Sequence, residues 1–325
     1  VQRAFDLWYE LEQLTDQHLL TPCRCLSLGP ANGQMIQSLE ACVREHHLPA
    51  QRLTAAEIRR LFPPFHLPDH YVGILEDQAG FLAVEACVWA QLTVARLLGA
   101  QLRLNEPVLH WHAHDNGFRV ITPQGSYCAP RLIICAGAWT HRLLRQWNIP
   151  LAVMRQVMLW FDVGTRRRAF RRDQFPIFIA ETPRGSFYGL PAIDSLGLKV
   201  AQHYGAPEVP DPELVQRQTT PADVVAVRHF LDEFLPGLGS TTQAHTCLYT
   251  VTPDRHFIID RLPANQASLV IAAGFSGHGF KFAPVVGQIL ADLVSDGQTH
   301  WNLQLFRMHR FWPPGSLHPQ DLKAS

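Results

Sequence analysis

Only three lysines stand among the 28 basic side chains of this 325-residue chain; the other 25 are arginine. They occupy positions 199, 281 and 323. A lysine ammonium is compact and its pKa can be tuned, which a guanidinium does not allow. Lys199 and Lys281 lie in segments suited to an active site, whereas Lys323 sits in the tail and reads as incidental. The Lys281 segment, residues 273–287, is Ala-Gly-Phe-Ser-Gly-His-Gly-Phe-Lys-Phe-Ala-Pro-Val-Val-Gly. It follows the apolar run Ser268-Leu-Val-Ile-Ala-Ala273 and opens a helix near Pro284. Its glycines would leave backbone bare for a large flat ligand. The start of the helix offers unpaired N–H groups and about half a positive charge. That suits a ring system that gains negative charge when reduced, as a flavin does. A tight turn packing helix on sheet is the plainer account, but three glycines around a histidine exceed what packing needs.

Strand alternation groups the other candidates. In Leu198-Lys-Val-Ala-Gln-His203, Lys199, Ala201 and His203 point one way and Leu198 and Val200 the other. That face holds either a site or solvent. In His245-Thr-Cys-Leu-Tyr249, residues 245, 247 and 249 share a face, and Cys247 is either a nucleophile or a small buried side chain. His110, His112 and His114 alternate as metal ligands could, but no carboxylate or cysteine pattern joins them and a polar outer face explains them. Cys23-Arg-Cys25 is too isolated for a zinc site. Arg166-Arg-Arg168 and Arg171-Arg172 read as a solvated loop tip, since only Phe170 interleaves them.

The elements that position these residues are mixed. Residues 1–19 read as a helix with a stripe of Ala4, Leu7, Trp8, Leu11 and Leu14. Strands are expected near 25–29 and 71–75, with a helix near 31–46. Phe81 to Leu98 reads as a helix with Val84, Val88, Leu92, Ala95 and Leu98 on its apolar face and Gly99 as its stop. Asp115-Asn-Gly117 marks a hairpin between 107–114 and 118–122. Arg131-Leu-Ile-Ile-Cys-Ala136 then runs into Gly137, a strand–glycine–helix arrangement suited to a dinucleotide. Residues 151–204 are mostly β, 222–235 helical, 244–250 and 268–273 strands. The expected fold class is mixed α/β: a Rossmann-like nucleotide domain interrupted by a β-rich substrate domain. Residues 1–20, 82–150 and 250–325 would form the first domain, and 21–81 with 151–249 the second.

Charge balances at 28 acidic and 28 basic residues, which gives no sign of nucleic acid or an acidic membrane surface as a partner. Apolar runs are too short to span a bilayer. Seven cysteines, an odd number without disulfide spacing, fit a reducing cytoplasm. The chain begins at Val1 without a start signal and reads as a fragment.

Together these residues resemble the flavin-dependent N-methyl amino acid oxidases, the family of monomeric sarcosine oxidase and N-methyltryptophan oxidase. The resemblance is carried by Arg3-Ala-Phe-Asp-Leu-Trp-Tyr-Glu-Leu-Glu12, Phe187-Tyr-Gly-Leu-Pro191, Leu198-Lys199 and Cys247-Leu-Tyr-Thr-Val-Thr-Pro-Asp254 with His256-Phe-Ile-Ile-Asp260. Gly274-Phe-Ser-Gly-His-Gly-Phe-Lys-Phe282 is its most specific part. It implies FAD joined covalently through Cys247. The cofactor would contact Gly137, Gly274, Ser276, Gly277, His278, Gly279, Phe280 and Lys281. Lys281 would also pair with the substrate carboxylate, and Lys199 would help O₂ react. A fixed cation about 4 Å from a superoxide-like anion, at an effective dielectric near 20, is worth roughly 4 kcal/mol. Tyr188, His203 and Tyr249 would line the pocket. The implied partners are O₂ and a small secondary amine bearing a carboxylate, and the implied state is a monomer. The implied products are the amino acid, formaldehyde and H₂O₂.

The family's first strand, its G-x-G-x-x-G turn, the acidic ribose-binding residue and the basic flavin loop have no counterpart here. The resemblance therefore implies a missing segment of roughly 60 residues, larger than one minimal βαβ unit. Two alternatives stand beside the main reading. One is an oxidase of another secondary amine, cyclic or glycated. The other is a truncated, non-catalytic remnant that binds no flavin.

Overall fold

The computed structural model describes residues 1–115, 117–264 and 267–312. Lys323 and the Asn116 position of the hairpin turn fall outside them. The fold is mixed α/β, as the alternation of patterns predicts. Its centre is an eight-stranded sheet, in the order Thr241–Val251, Ala152–Phe161, Leu198–Gln202, Gly185–Leu190, Ile177–Thr182, Cys25–Pro30, Tyr71–Glu76, Ala50–Thr54. Only Ile177–Thr182 and Cys25–Pro30 run parallel; the other neighbours are antiparallel.

Alternation gives this sheet two unlike faces. One buries Phe178, Phe187, Leu198, Val200, Leu159 and Phe161 against the helix Pro221–Phe234. Phe187 and Phe230 stack with centroids 4.5 Å apart, and a Cβ at Gly189 would meet the Phe178 ring at 2.3 Å. Packing that leaves no room for one carbon fixes the register of these strands. The opposite face carries the candidate site.

A second, three-stranded sheet places Ala267–Ala273 between antiparallel Ile258–Ala264 and parallel Arg131–Ile134. The strand Ala267–Ala273 leads through a single 3₁₀ turn, Phe280–Phe282, into the helix Ala283–Ser295. Gly297 follows in the left-handed conformation, φ 73°. The hairpin forms with strands His110–His114 and Gly117–Thr122, and a third strand, Gly125–Ala129, extends it.

Two sequence expectations need correction. The first helix, Gln2–Thr15, buries Ala4, Trp8 and Leu11, but Leu14 is 72% exposed. The helix Val84–Leu97 buries Cys87 and Ala90 instead of the expected stripe, leaving Val84, Val88 and Leu98 exposed. This helix is apolar on more than one side, so periodicity alone does not choose its buried face. Small side chains win because Cys87 and Ala90 let the helix approach Trp8, Leu11 and Leu19 closely. A strand and helix at 50–61 were not anticipated, although Thr54 and Glu57 form a reciprocal capping box at the start of that helix.

Candidate active site

The register of the central sheet joins what single strands only suggest. Trp160 pairs with Lys199, Leu190 with Lys199 and Tyr188 with Ala201. Gln156 pairs with Cys247 and Met154 with Tyr249. Paired residues share a face. Lys199, Ala201, Tyr188, Cys247 and Tyr249 therefore look out from one side of the sheet, opposite the phenylalanine core. His203, just past its strand, continues the row. Its ring lies 5.8 Å from Tyr188 and 5.9 Å from Tyr249, edge-on to both.

The glycine-rich segment crosses this face. Trp8 Nε1 donates to the Lys281 carbonyl at 3.0 Å, and its ring stacks on Phe280. Lys281 Nζ donates to the His278 carbonyl at 3.1 Å. Lys281 and Lys199 line one hollow of about 290 Å³, walled by Ala4, Trp8, Leu82, Leu190 and Phe280. A larger groove, about 690 Å³ between His110, Arg142 and Asp211, contains none of the residues expected at the flavin site.

The glycines also have a packing role. A Cβ at Gly274 would strike Thr252 at 2.5 Å, one at Gly277 would strike the Tyr249 ring at 2.3 Å, and one at Gly279 would strike Phe275 at 2.5 Å. Gly274 and Gly277 also hold φ of 63° and 81°. They let the segment press against its own protein. Ser276 is fully buried, and its hydroxyl donates to the Gly274 carbonyl at 3.0 Å. His278 is turned onto Phe257, with Nε2 at 3.1 Å from the Arg255 carbonyl. What the segment presents outward is backbone and Lys281. Gly137 differs: at φ 51°, a Cβ there would meet nothing within 4 Å.

Burial governs the ionisable groups. It pulls the Lys199 ammonium below its ordinary pKa, with Cys247 and Glu85 opposing. It pulls Lys281 down as well, with Cys25 opposing. Lys281 is open to solvent by surface area, yet it stands in a hollow with protein on most sides. The density of surrounding protein, more than the area water touches, sets its desolvation. Burial raises the Cys247 thiol, and Lys199 opposes the rise. The Tyr188 phenol is pushed up to about 12 by burial, and Tyr249 is raised further, by burial and by Tyr188. Burial, then His278, Arg255 and Lys281, lower His203 to about 4. At neutral pH the face thus holds protonated phenols and a neutral imidazole beside the two lysines.

Two buried polar atoms here have no partner among the described residues: His203 Nδ1 and Gln156 Nε2. Buried polar atoms are ordinarily paired, so these mark places where a bound group would supply the partner. Sequence reading passed over Gln156, although it is a lone amide on the face of Met154, Met158 and Trp160. It also passed over Trp160, whose ring lies 4.9 Å from Lys199 Nζ, and Tyr204, whose hydroxyl donates to the Ser276 carbonyl at 3.0 Å.

Residues 1–293 match the family described as FAD dependent oxidoreductase. The chain belongs to this family. It is 37% identical over 312 residues to monomeric sarcosine oxidase of Streptomyces avermitilis, covering 95% of this chain and 81% of that one. It is 35% identical over 315 residues to N-methyl-L-tryptophan oxidase of Salmonella agona, covering 96% and 82%. Among solved structures, the amino acid oxidase NikD of nikkomycin biosynthesis superposes with a TM-score of 0.81 at 23% identity, covering 94% and 81%. L-proline dehydrogenase of P. horikoshii superposes with a TM-score of 0.80 at 20% identity, covering 95% and 82%. These two show the shared fold. The enzyme is an FAD-dependent oxidoreductase that oxidises amines. The residues present fit the cofactor: Gly137 opens onto free space, and the N–H groups of Gly279, Phe280 and Lys281 have no acceptor among the described residues. Among the described residues, no helix is long and apolar enough to cross a membrane.

Proposed function

We propose that this enzyme oxidises the N-methyl group of a small amino acid, releasing the primary amine, formaldehyde and H₂O₂. The observation that carries this reading is the pair Lys199 and Lys281 at one hollow, beside the face that bears Cys247. The relatives named for sarcosine and N-methyl-L-tryptophan support the substrate class. The chemistry supplied by bound FAD would be uptake of an electron pair from the substrate and its return to O₂.

The chain's own groups take the remaining roles. Lys281 binds the substrate carboxylate through its ammonium. Its hydrogen bond to the His278 carbonyl fixes where that charge stands. Lys199 holds a second positive charge over the Trp160 ring, suited to the anion formed as O₂ is reduced. Neutral His203 keeps a nitrogen lone pair, so Nδ1 is able to accept a hydrogen bond from the substrate amine. Tyr188 and Tyr249 stay protonated and close the pocket without adding charge. Gly137, Gly274, Gly277 and Gly279, with Ser276, His278, Phe280 and Lys281, would hold FAD, and Cys247 Sγ would be its point of covalent attachment. The division into 1–20, 82–150 and 250–325 for the cofactor and 21–81 with 151–249 for the substrate follows from the same roles. A cytoplasmic monomer is part of this reading, and seven free cysteines support the compartment.

The test is direct. Protein expressed with FAD and precipitated in acid should give a yellow pellet, and Cys247→Ser should move the colour into the supernatant. H₂O₂ production from sarcosine and other N-methyl amino acids should follow. No H₂O₂ with any of them would sink the substrate assignment.

A further inference from the structure

We propose that Arg255 is a specificity-determining residue of the amine site, held at its lip to receive a second carboxylate on the substrate. The proposal rests on the amine-oxidase reading above and deepens it to a substrate class: N-methyl amino acids with an acidic side chain.

Four observations carry it. The Arg255 guanidinium lies 4.2 Å over the Tyr204 ring. That ring sits 4.1 Å from His203 and 6.5 Å from Tyr249, so Arg255 caps the aromatic cluster of the site. Second, among the described residues no carboxylate pairs with Arg255. Its neighbour Asp254 is already engaged, by Arg310 Nε at 2.7 Å and by the His256 N–H at 3.1 Å. The cluster beneath consists of phenols and a neutral imidazole, which offer no countercharge.

Third, the backbone of Arg255 is fixed in an unfavourable conformation. Its φ is 60°, left-handed for a side chain with a Cβ. Its N–H donates to the Thr252 carbonyl at 3.1 Å, and its carbonyl faces His278 Nε2 at 3.1 Å. A residue holds this conformation where the surrounding structure over-determines it. Fourth, Arg255 adds to the positive field at His203 that Lys281 and His278 also produce. Lys281 accounts for one substrate carboxylate. A planar fork held on an aromatic ring suits a second.

The experiment compares holoenzyme with Arg255→Gln and Arg255→Lys on matched pairs: N-methyl-L-aspartate against N-methyl-L-alanine, and N-methyl-L-glutamate against sarcosine. The ratio of kcat/KM, acidic over neutral, should fall roughly tenfold in Arg255→Gln and partly recover in Arg255→Lys, as expected for a charge-assisted contact. High salt should narrow the same ratio in the wild type. A second arm uses thioethers that replace the oxidisable nitrogen. 2-(Methylthio)succinate should bind more tightly than 2-(methylthio)propanoate by calorimetry, and Arg255→Gln should erase the gap. An unchanged acidic-to-neutral ratio in both arms overturns the role of Arg255. If no N-methyl amino acid is oxidised, the substrate assignment fails, and the calorimetric ratio still decides Arg255.

Discussion

The two faces of the eight-stranded sheet are made by alternate residues of the same strands, yet they are packed on different terms. On one face Phe178, Phe187, Leu198 and Val200 are wholly buried, and Phe187 stacks on Phe230. On the other, Tyr188, Lys199, His203, Cys247 and Tyr249 are only part-buried, and two polar atoms lack partners. The first face fixes register and the second uses it. A strand that slipped by one residue would exchange Lys199 for Leu198 at the site. The hydrophobic face therefore guarantees the chemistry of the polar one.

The contrast can be broken at its strong end first. Phe187→Ala should destabilise the fold by about 3–5 kcal/mol, seen as a lowered urea midpoint, because it opens a cavity in a face with no slack. A loss below about 1 kcal/mol would show that the aromatic face is not what sets the register. Lys281→Met, on the opposite face, should lower kcat/KM by roughly a hundredfold, the scale of a lost charged hydrogen bond. Its thermal stability should hold or rise slightly, since a half-desolvated ammonium is removed.

A smaller effect concerns pH. The folded pKa of His203, about 4, lies below its unfolded value. Below the unfolded value the denatured chain takes up a proton that the folded site refuses. The contribution of His203 to stability is therefore full above about 6.5, its ordinary pKa, and is lost as pH falls towards 4. His203→Gln should flatten that part of the stability profile, and an unchanged profile would mean the imidazole is not held neutral. The smallest change is Tyr204→Phe, which removes the hydrogen bond to the Ser276 carbonyl. About 1 kcal/mol is expected in the denaturation free energy, with little change in the core.

Local pattern made much of this legible. Alternation along 198–203 and 245–249 separates the site face from the core face before any partner is known. The Asp-Asn-Gly turn places a hairpin, and Pro284 marks the start of the last α-helix. What local pattern lacks is registry between distant strands. Nothing near Gln156 says that it faces Cys247, and nothing near Arg255 says that it covers Tyr204. The helix at 84–97 shows a second limit. Its apolar side chains permit more than one buried face, and only the approach of Trp8 selects Cys87 and Ala90. The glycines of 274–279 show a third. Their spacing does not reveal that Cβ positions at Gly274, Gly277 and Gly279 fall against Thr252, Tyr249 and Phe275.

The Trp8–Lys281 hydrogen bond has a consequence for how the molecule is born. It joins residues 273 positions apart. At translation rates of about 5–20 residues per second, the first helix leaves the ribosome roughly 14–55 s before its partner is made. Trp8 and Leu11 must wait that long with only part of their apolar cover. The sheet interior waits less, because its Pro221–Phe234 helix is synthesised before the glycine segment. The pocket thus closes late in synthesis, and a chaperone that shields the first helix should raise the yield of active enzyme more than the yield of folded sheet.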